Sequence, residues 1–284
     1  MAQFTNQAQL SYNNATVNSN IAVGEVLEVL SATKTAVTTT YAQGGDITYV
    51  ISAVNSGATP IGGITVTDNL GAYPFDETTL YPLTYKDASV RLYINGVLQA
   101  APAIVAGPPL VVSGITLPAN SNMVLIYEAN VNTFAPLGEE DSIVNIATVI
   151  GNGISTPITV TETVTPVSEA MLDITKSISP VPVAENGVVT YTFVIRNSGN
   201  APADAAANVT LTDTFNPILS DLTVLLNGVA LAEGTGYTYA ITEGDFATVP
   251  GVITVPAATY TQDPVTGVWS IIPGTATLTV TGTI

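Results

Sequence analysis

The chain has 284 residues, enough for one large domain or two ordinary ones. Five Lys and Arg stand against 22 Asp and Glu, a formal net charge of −17, which offers no basic footprint to a nucleic acid and is repelled by an anionic membrane surface. Without a single His or Cys, the chain lacks imidazole bases, thiol nucleophiles, disulfides and the usual zinc, iron–sulfur and haem ligands, so neither metal nor cofactor is expected.

Hydrophobic residues make up 46% of the chain and charged residues only 10%, the composition of an ordered protein with a large core. Residues 1–22 are polar and alternating, with neither the basic start nor the apolar run of a secretory signal. No stretch reads as a membrane-spanning helix. Export is therefore expected by another route, such as lysis of a mother cell, or with a signal already removed. No Gly-rich phosphate loop lies between a strand and a helix, and no base is present for a serine triad. The expectation is a protein without enzyme activity.

Thr, Val and Ile alternate with polar residues through Asp46–Val54, Gly63–Asp68, Val188–Arg196, Asn208–Asp213 and Thr275–Ile284. Clusters of Gly, Pro and Asn separate these runs, and no useful stretch has a helical period. The expected fold class is all-β, two tandem immunoglobulin-like sandwiches.

The chain repeats itself. Lys34 matches Lys176, Thr48-Tyr49 matches Thr190-Tyr191, and Asn55-Ser56-Gly57 matches Asn197-Ser198-Gly199, each 142 residues on. Ile64–Leu70 (ITVTDNL) matches Val209–Phe215 (VTLTDTF) with three extra residues. Tyr93–Val97 (YINGV) matches Leu225–Val229 (LLNGV), and Met123–Val131 matches Ala276–Ile284.

The first copy then continues into a further hairpin, from about Ile143 to Val164, that the second copy lacks. A similar segment sits at the start of the chain, Phe4–Val26. There Asn6 aligns with Asn145, Ala8 with Ala147 and Leu10 with Val149, and Ile21, Val23 and Glu25 align with Ile158, Val160 and Glu162. The expected organisation is an N-terminal arm (1–26), a complete first sandwich (27–167) and a second sandwich lacking its last hairpin (168–284).

The order TK, TY, NxG, VTDxx, NxA resembles the bacterial "conserved repeat" family, the domain of unknown function numbered eleven. The resemblance covers nearly the whole chain. It implies an immunoglobulin-like sandwich, a place on bacterial or archaeal surface proteins, and no enzyme activity.

A sandwich short of two strands exposes apolar core and unpaired backbone. Phe4, Asn6, Ala8, Leu10 and Tyr12 share one face of the first arm strand, and Ile21 and Val23 share parity on the second. The link from Glu25 to Lys34 is too short to double back across a domain. The arm is therefore expected to complete the second sandwich of a neighbouring copy, head to tail, as in donor-strand complementation. A loose leader and a closed, domain-swapped dimer are the bland alternatives.

Of three lysines, two hold the repeat-matched position. Strand parity points Lys176, Asp213, Asn6 and Glu25 into one expected core, and Lys34, Asp68, Asn145 and Glu162 into the other. Two readings stand. One is a buried Lys–carboxylate ion pair with Asn assisting. The other follows from likeness to Gram-positive pilin and adhesin domains, in which Lys, an acid and Asn react spontaneously. That resemblance implies a Lys34–Asn145 isopeptide bond within the subunit and a Lys176–Asn6 bond between subunits. Asp68 and Asp213 are the preferred acids, with Glu162 and Glu25 the alternatives.

The functional expectation is a self-assembling extracellular bacterial filament of the cell or spore surface, its partner being further copies of itself and its adhesion target open. The competing expectation is a monomeric surface stalk or wall-layer binding module.

Overall fold

The computed structural model describes residues 2–284, with side chains from residue 3 onward. The chain divides into two compact units: the chain up to Ala135 together with Ser142–Val164, and Pro136–Asp141 together with Thr165–Ile284. Both are built of antiparallel strands. Among the described residues the one helical element is a 3-10 turn at Ala205–Ala207.

The N-terminal arm is a hairpin. Asn13 and Asn14 take φ of 43° and 62°, the left-handed pair of a type I′ turn, which Asn tolerates better than most residues. Gln9–Tyr12 pairs with Ala15–Asn18, and Ala2–Asn6 pairs with Ala22–Val26. Among the described residues these strands pair only with one another.

The body of the first unit is a two-sheet sandwich. One sheet runs in the order 97–98, 91–94, 121–131, 46–55, 30–36, and the other in the order 103–105, 110–117, 61–68, 143–150, 158–166, 40–41. Period-two alternation buries Ile47, Tyr49, Ile51 and Ala53 from one sheet and Ile64, Val66, Ala147 and Val149 from the other.

The second unit repeats this plan incompletely. Its five-stranded sheet runs 172–179, 188–197, 274–283, 220–226, 229–230. The facing sheet has three strands, in the order 212–214, 245–248, 237–240. Val189, Phe193, Phe215, Phe246 and Leu278 fill the space between the two.

Repeat-matched positions fold alike. Asn95-Gly96 and Asn227-Gly228 both form left-handed hairpin turns, with φ of 49° and 79° in one and 50° and 80° in the other. Asn55 and Asn197 are fully buried and clamp their own turns. Asn55 accepts from the Gly57 amide at 2.9 Å, and Asn197 from the Gly199 amide at 2.9 Å.

One expected strand is shorter than its pattern. Residues 208–213 were expected to be extended, but the strand covers only Thr212–Thr214. Asn208 takes a left-handed φ of 51° to end the 3-10 turn. The matching strand of the first unit, Ile61–Asp68, is bonded on both sides, by Leu110–Leu117 and Ile143–Ile150. Thr212–Thr214 is bonded on one side only, by Asp245–Thr248, and among the described residues no strand occupies its other edge.

Candidate functional site: two lysine–aspartate pairs

Lys34 lies mid-strand in Leu30–Ala36, on the face that Leu30 buries, and its side chain is 0% exposed. Its Nζ donates to Asp68 Oδ2 at 2.6 Å and stands 4.8 Å from the centroid of the Tyr49 ring. Asp68 ends the strand Ile61–Asp68, flanked by Leu110 and Ala147. The same Oδ2 accepts from the Tyr127 hydroxyl at 2.6 Å, and Oδ1 accepts from the Leu70 amide at 2.9 Å.

The chain after Asp68 is shaped to reach Asn145. Asn69 and Ile146 exchange two bonds of 2.9 Å, which fix this turn against the strand Ile143–Ile150. Leu70 and Gly71 then take left-handed φ of 54° and 71°. A Cβ on residue 71 would lie 2.5 Å from Ile143 and 3.0 Å from Pro82, so glycine is required there on steric grounds as well. The Gly71 amide donates to Asn145 Oδ1 at 3.2 Å, and Asn145 Nδ2 donates to the Tyr127 hydroxyl oxygen at 3.2 Å.

Asn145 is fully buried, and the rings of Tyr49 and Tyr127 stack at 5.5 Å. Half-buried Glu162 stands directly across from Asn145 in register, and its charge reaches Lys34. Burial pulls the Lys34 ammonium below the ordinary lysine value, against the opposing pull of the Asp68 carboxylate. Burial likewise pushes the Tyr127 phenol well up. The site therefore holds an amine biased toward its neutral form, a carboxylate that can take its proton, and a carboxamide with its carbonyl polarised by a backbone N–H. Those are the parts needed for amine attack on an amide, and equally those of a satisfied buried ion pair.

The second unit repeats the pair in the open. Lys176 Nζ donates to Asp213 Oδ2, yet the lysine side chain is 41% exposed and the aspartate side chain 18%. Lys176 also faces the rings of Tyr191, Phe193 and Phe215 at 4.7, 5.4 and 5.6 Å from their centroids. Ile174, on the same strand face and opposite buried Ile195, is 54% exposed.

The structure thus brings together Lys34, Asp68, Asn145 and Glu162, and separately Lys176 and Asp213. Asn6 and Glu25 stay in the arm, both exposed. Phe4, Ala8, Leu10, Tyr12, Ile21 and Val23 are exposed there too. Within the single chain, Asn6 and Glu25 do not share an arm face. Asn6 stands opposite Ala22, and Glu25 opposite Gln3, whose amide it accepts at 3.1 Å. In the first unit the matching residues, Asn145 and Glu162, stand opposite each other. The arm's own pairing is three residues out of that register, and an odd shift puts Asn6 and Glu25 on opposite faces. Phe4 supplies a physical reason: its ring lies across Gly24, the residue it pairs with, where a Cβ would come within 2.3 Å.

Sequence reasoning missed Tyr127 and Gly71. Tyr127 had a signal. In the match of Met123–Val131 with Ala276–Ile284 it falls opposite Val280, a phenol in one copy and a purely aliphatic side chain in the other. The structure agrees on that correspondence: Tyr127 pairs with Tyr49 across the sheet, and Val280 pairs with Tyr191.

No family model matches this chain, and no curated protein does. Among solved structures, the pilus backbone protein of Streptococcus pneumoniae is similar over 86% of this chain, at 11% identity and a TM-score of 0.35. The chain spans only 55% of the length of that protein. The major pilin subunit of Bacillus cereus is similar over 96% of this chain and 73% of its own, at 11% identity and a TM-score of 0.34. A β-N-acetylglucosaminidase of Vibrio harveyi is similar over 57% of this chain and 23% of its own, at 12% identity and a TM-score of 0.28.

Proposed function

We propose that this chain is a structural, non-enzymatic subunit of an extracellular bacterial fibre, of the conserved-repeat kind, that polymerises head to tail. The arm of one copy enters the second sandwich of the next. There it adds the two strands that Ile143–Ile150 and Ile158–Pro166 add in the first.

The observation that carries this reading is a contrast between two copies of one residue. Lys34, covered by that hairpin's sheet, has a side chain 0% exposed, whereas Lys176 at the matched position is 41% exposed. The free edge of Thr212–Thr214 and the exposed apolar chains of the arm supply the two halves of a joint. Docking exchanges the arm's own register, Asn6 opposite Ala22, for one with Asn6 opposite Glu25. Each joint is then locked by a bond from Lys176 Nζ to the Asn6 carboxamide carbon, as Lys34 is joined to Asn145 within the subunit. One ammonia leaves per bond.

The test is a denaturing gel of the boiled protein, beside the intact mass of the monomer band. The expected result is a ladder of multimers, with each monomer unit lighter by about 17 Da for its internal bond. Asn6→Ala should abolish the ladder and leave filaments visible by electron microscopy. A single monomeric species in light scattering, with no filaments at any concentration, would refute the proposal.

A further inference from the structure

We infer that Tyr127 is a catalytic residue of the Lys34–Asn145 site: its hydroxyl relays a proton from Asp68 to the Asn145 nitrogen that departs as ammonia. This rests on the internal bond proposed above and assigns the step that a carboxylate beside the lysine leaves open.

The difficulty lies in geometry. Asp68 Oδ2 touches the nucleophile, 2.6 Å from Lys34 Nζ, and is well placed to remove its proton. The proton is needed elsewhere, at Asn145 Nδ2, because an amide nitrogen leaves only when protonated. The hydrogen bond made by Nδ2 is not to the carboxylate. It runs 3.2 Å to the Tyr127 hydroxyl oxygen, and that hydroxyl in turn donates to Asp68 Oδ2 at 2.6 Å. Tyr127 therefore bridges acid and leaving group, in a site 1% exposed at Tyr127 and 0% at Asn145, where no bulk water can carry the proton. Tyr49 brings its hydroxyl up beside Asn145 but makes no hydrogen bond of ordinary geometry there, and it has none to Asp68.

The steps balance. Lys34 ammonium gives one proton to the Asp68 carboxylate. The neutral amine attacks the Asn145 amide carbon, and its carbonyl oxygen becomes an oxyanion held by the Gly71 N–H. Nδ2 takes the Tyr127 hydroxyl proton while Tyr127 takes the proton held on Asp68. The carbon–Nδ2 bond breaks and ammonia departs. The former amine nitrogen loses its second proton to Asp68, which ends as the neutral acid beside a new secondary amide.

The second unit contains its own control. Val280, fully buried, holds the place of Tyr127, so the proposed bond between subunits has no such relay and must form by a slower route or with another proton donor.

The experiment follows the intact mass of the freshly produced monomer band, which carries no bond to a neighbour, over time for the wild type, Tyr127→Phe and Tyr49→Phe. Wild type and Tyr49→Phe should have lost about 17 Da in the first sample, whereas Tyr127→Phe should retain its ammonia and close the bond about 100-fold more slowly or not at all. The Tyr127→Phe multimer ladder should persist, and its thermal melt should match that of Asn145→Ala, which lacks the bond for another reason. A purely structural role would disturb the melt beyond Asn145→Ala. Should Tyr127→Phe fail to fold, 3-fluorotyrosine at 127 keeps ring and hydroxyl but changes its acidity, and must change the rate of bond formation. Equal rates in wild type and Tyr127→Phe, or an unchanged rate with 3-fluorotyrosine, would overturn the relay and leave the internal bond standing. A wild-type chain of full mass would overturn the bond itself, and the relay with it.

Discussion

If the arm of a neighbour covers the strand Leu172–Ser179, truncating Ile174 weakens the joint by an amount the structure bounds. Ile174 is 54% exposed in the single chain, on the inner face beside Lys176. Full burial of an isoleucine is worth about 1.5–3 kcal/mol, so covering the exposed half is worth about 1 kcal/mol. Ile174→Ala should therefore raise the critical concentration for filaments about fivefold. The part already covered costs the folded monomer a similar amount, about 1 kcal/mol. The measurement requires a reversible joint, so it belongs in the Asn6→Ala background, where pelleting at graded concentrations reads the critical concentration directly. Val265→Ala is the reference: that side chain is 86% exposed and lies in the loop of the 259–272 hairpin. A fivefold shift with Ile174→Ala alone is the expected outcome. Equal shifts for both, or none for Ile174→Ala, would refute the claim that this strand is covered in the fibre.

Deleting residues 2–26 should abolish filaments and leave a folded monomer, seen as one sedimenting species with an unchanged strand signal in circular dichroism; filaments from that variant would exclude the arm as donor. Asn55→Ala removes the amide that donates to Thr59, Leu117 and Pro118 carbonyls at 2.9, 3.3 and 2.8 Å. It should cost the first unit about 3 kcal/mol in chemical denaturation, and a loss near zero would contradict the clamp role. In Asn145→Ala, where no bond can form, Lys34 keeps an ammonium pulled below its ordinary value of 10.5. The folded chain then binds fewer protons than the unfolded one in that window, so Lys34 makes stability rise with pH. The rise should show as pH climbs toward the ordinary lysine value of 10.5, before buried Tyr49 and Tyr127, both pushed up by burial, act in the opposite sense. Adding Lys34→Met should flatten the slope, and an unchanged slope would exclude Lys34 as its source.

Much of this could be read from the sequence because it rests on period and spacing. Alternation alone located the strands at 46–55, 61–68, 188–197 and 274–283 to within a few residues. The fixed offset of 142 residues paired Lys34 with Lys176, and parity alone put both on inner faces. Parity has a limit. It states which side of a strand a residue takes, not what it meets across the sheet or from the opposing sheet. Asn6 shows the first gap: its partner depends on the register of the outer arm strands, and the Phe4–Gly24 contact holds one three residues away from the aligned register. Tyr127 shows the second: its inward face was implied by buried Leu125 and Ala129, but its hydrogen bonds to Asp68 and Asn145 come from strands far away in sequence.

The comparison between the two lysines ties these limits to function. Both lysines form the same pair with the same acid at matched positions, so local sequence treats them as equivalent. What separates them is the hairpin Ile143–Ile150 and Ile158–Pro166, which covers one pair and has no counterpart over the other among the described residues. A buried lysine needs its carboxylate; a lysine 41% exposed among three aromatic rings does not need to be there at all for stability, since a surface position would cost the fold less. Under the proposed joint, Lys176 becomes buried as Lys34 is, and the pair with Asp213 gains the same cover. The arm supplies what that proposal requires: exposed apolar side chains and an asparagine at the position matching Asn145.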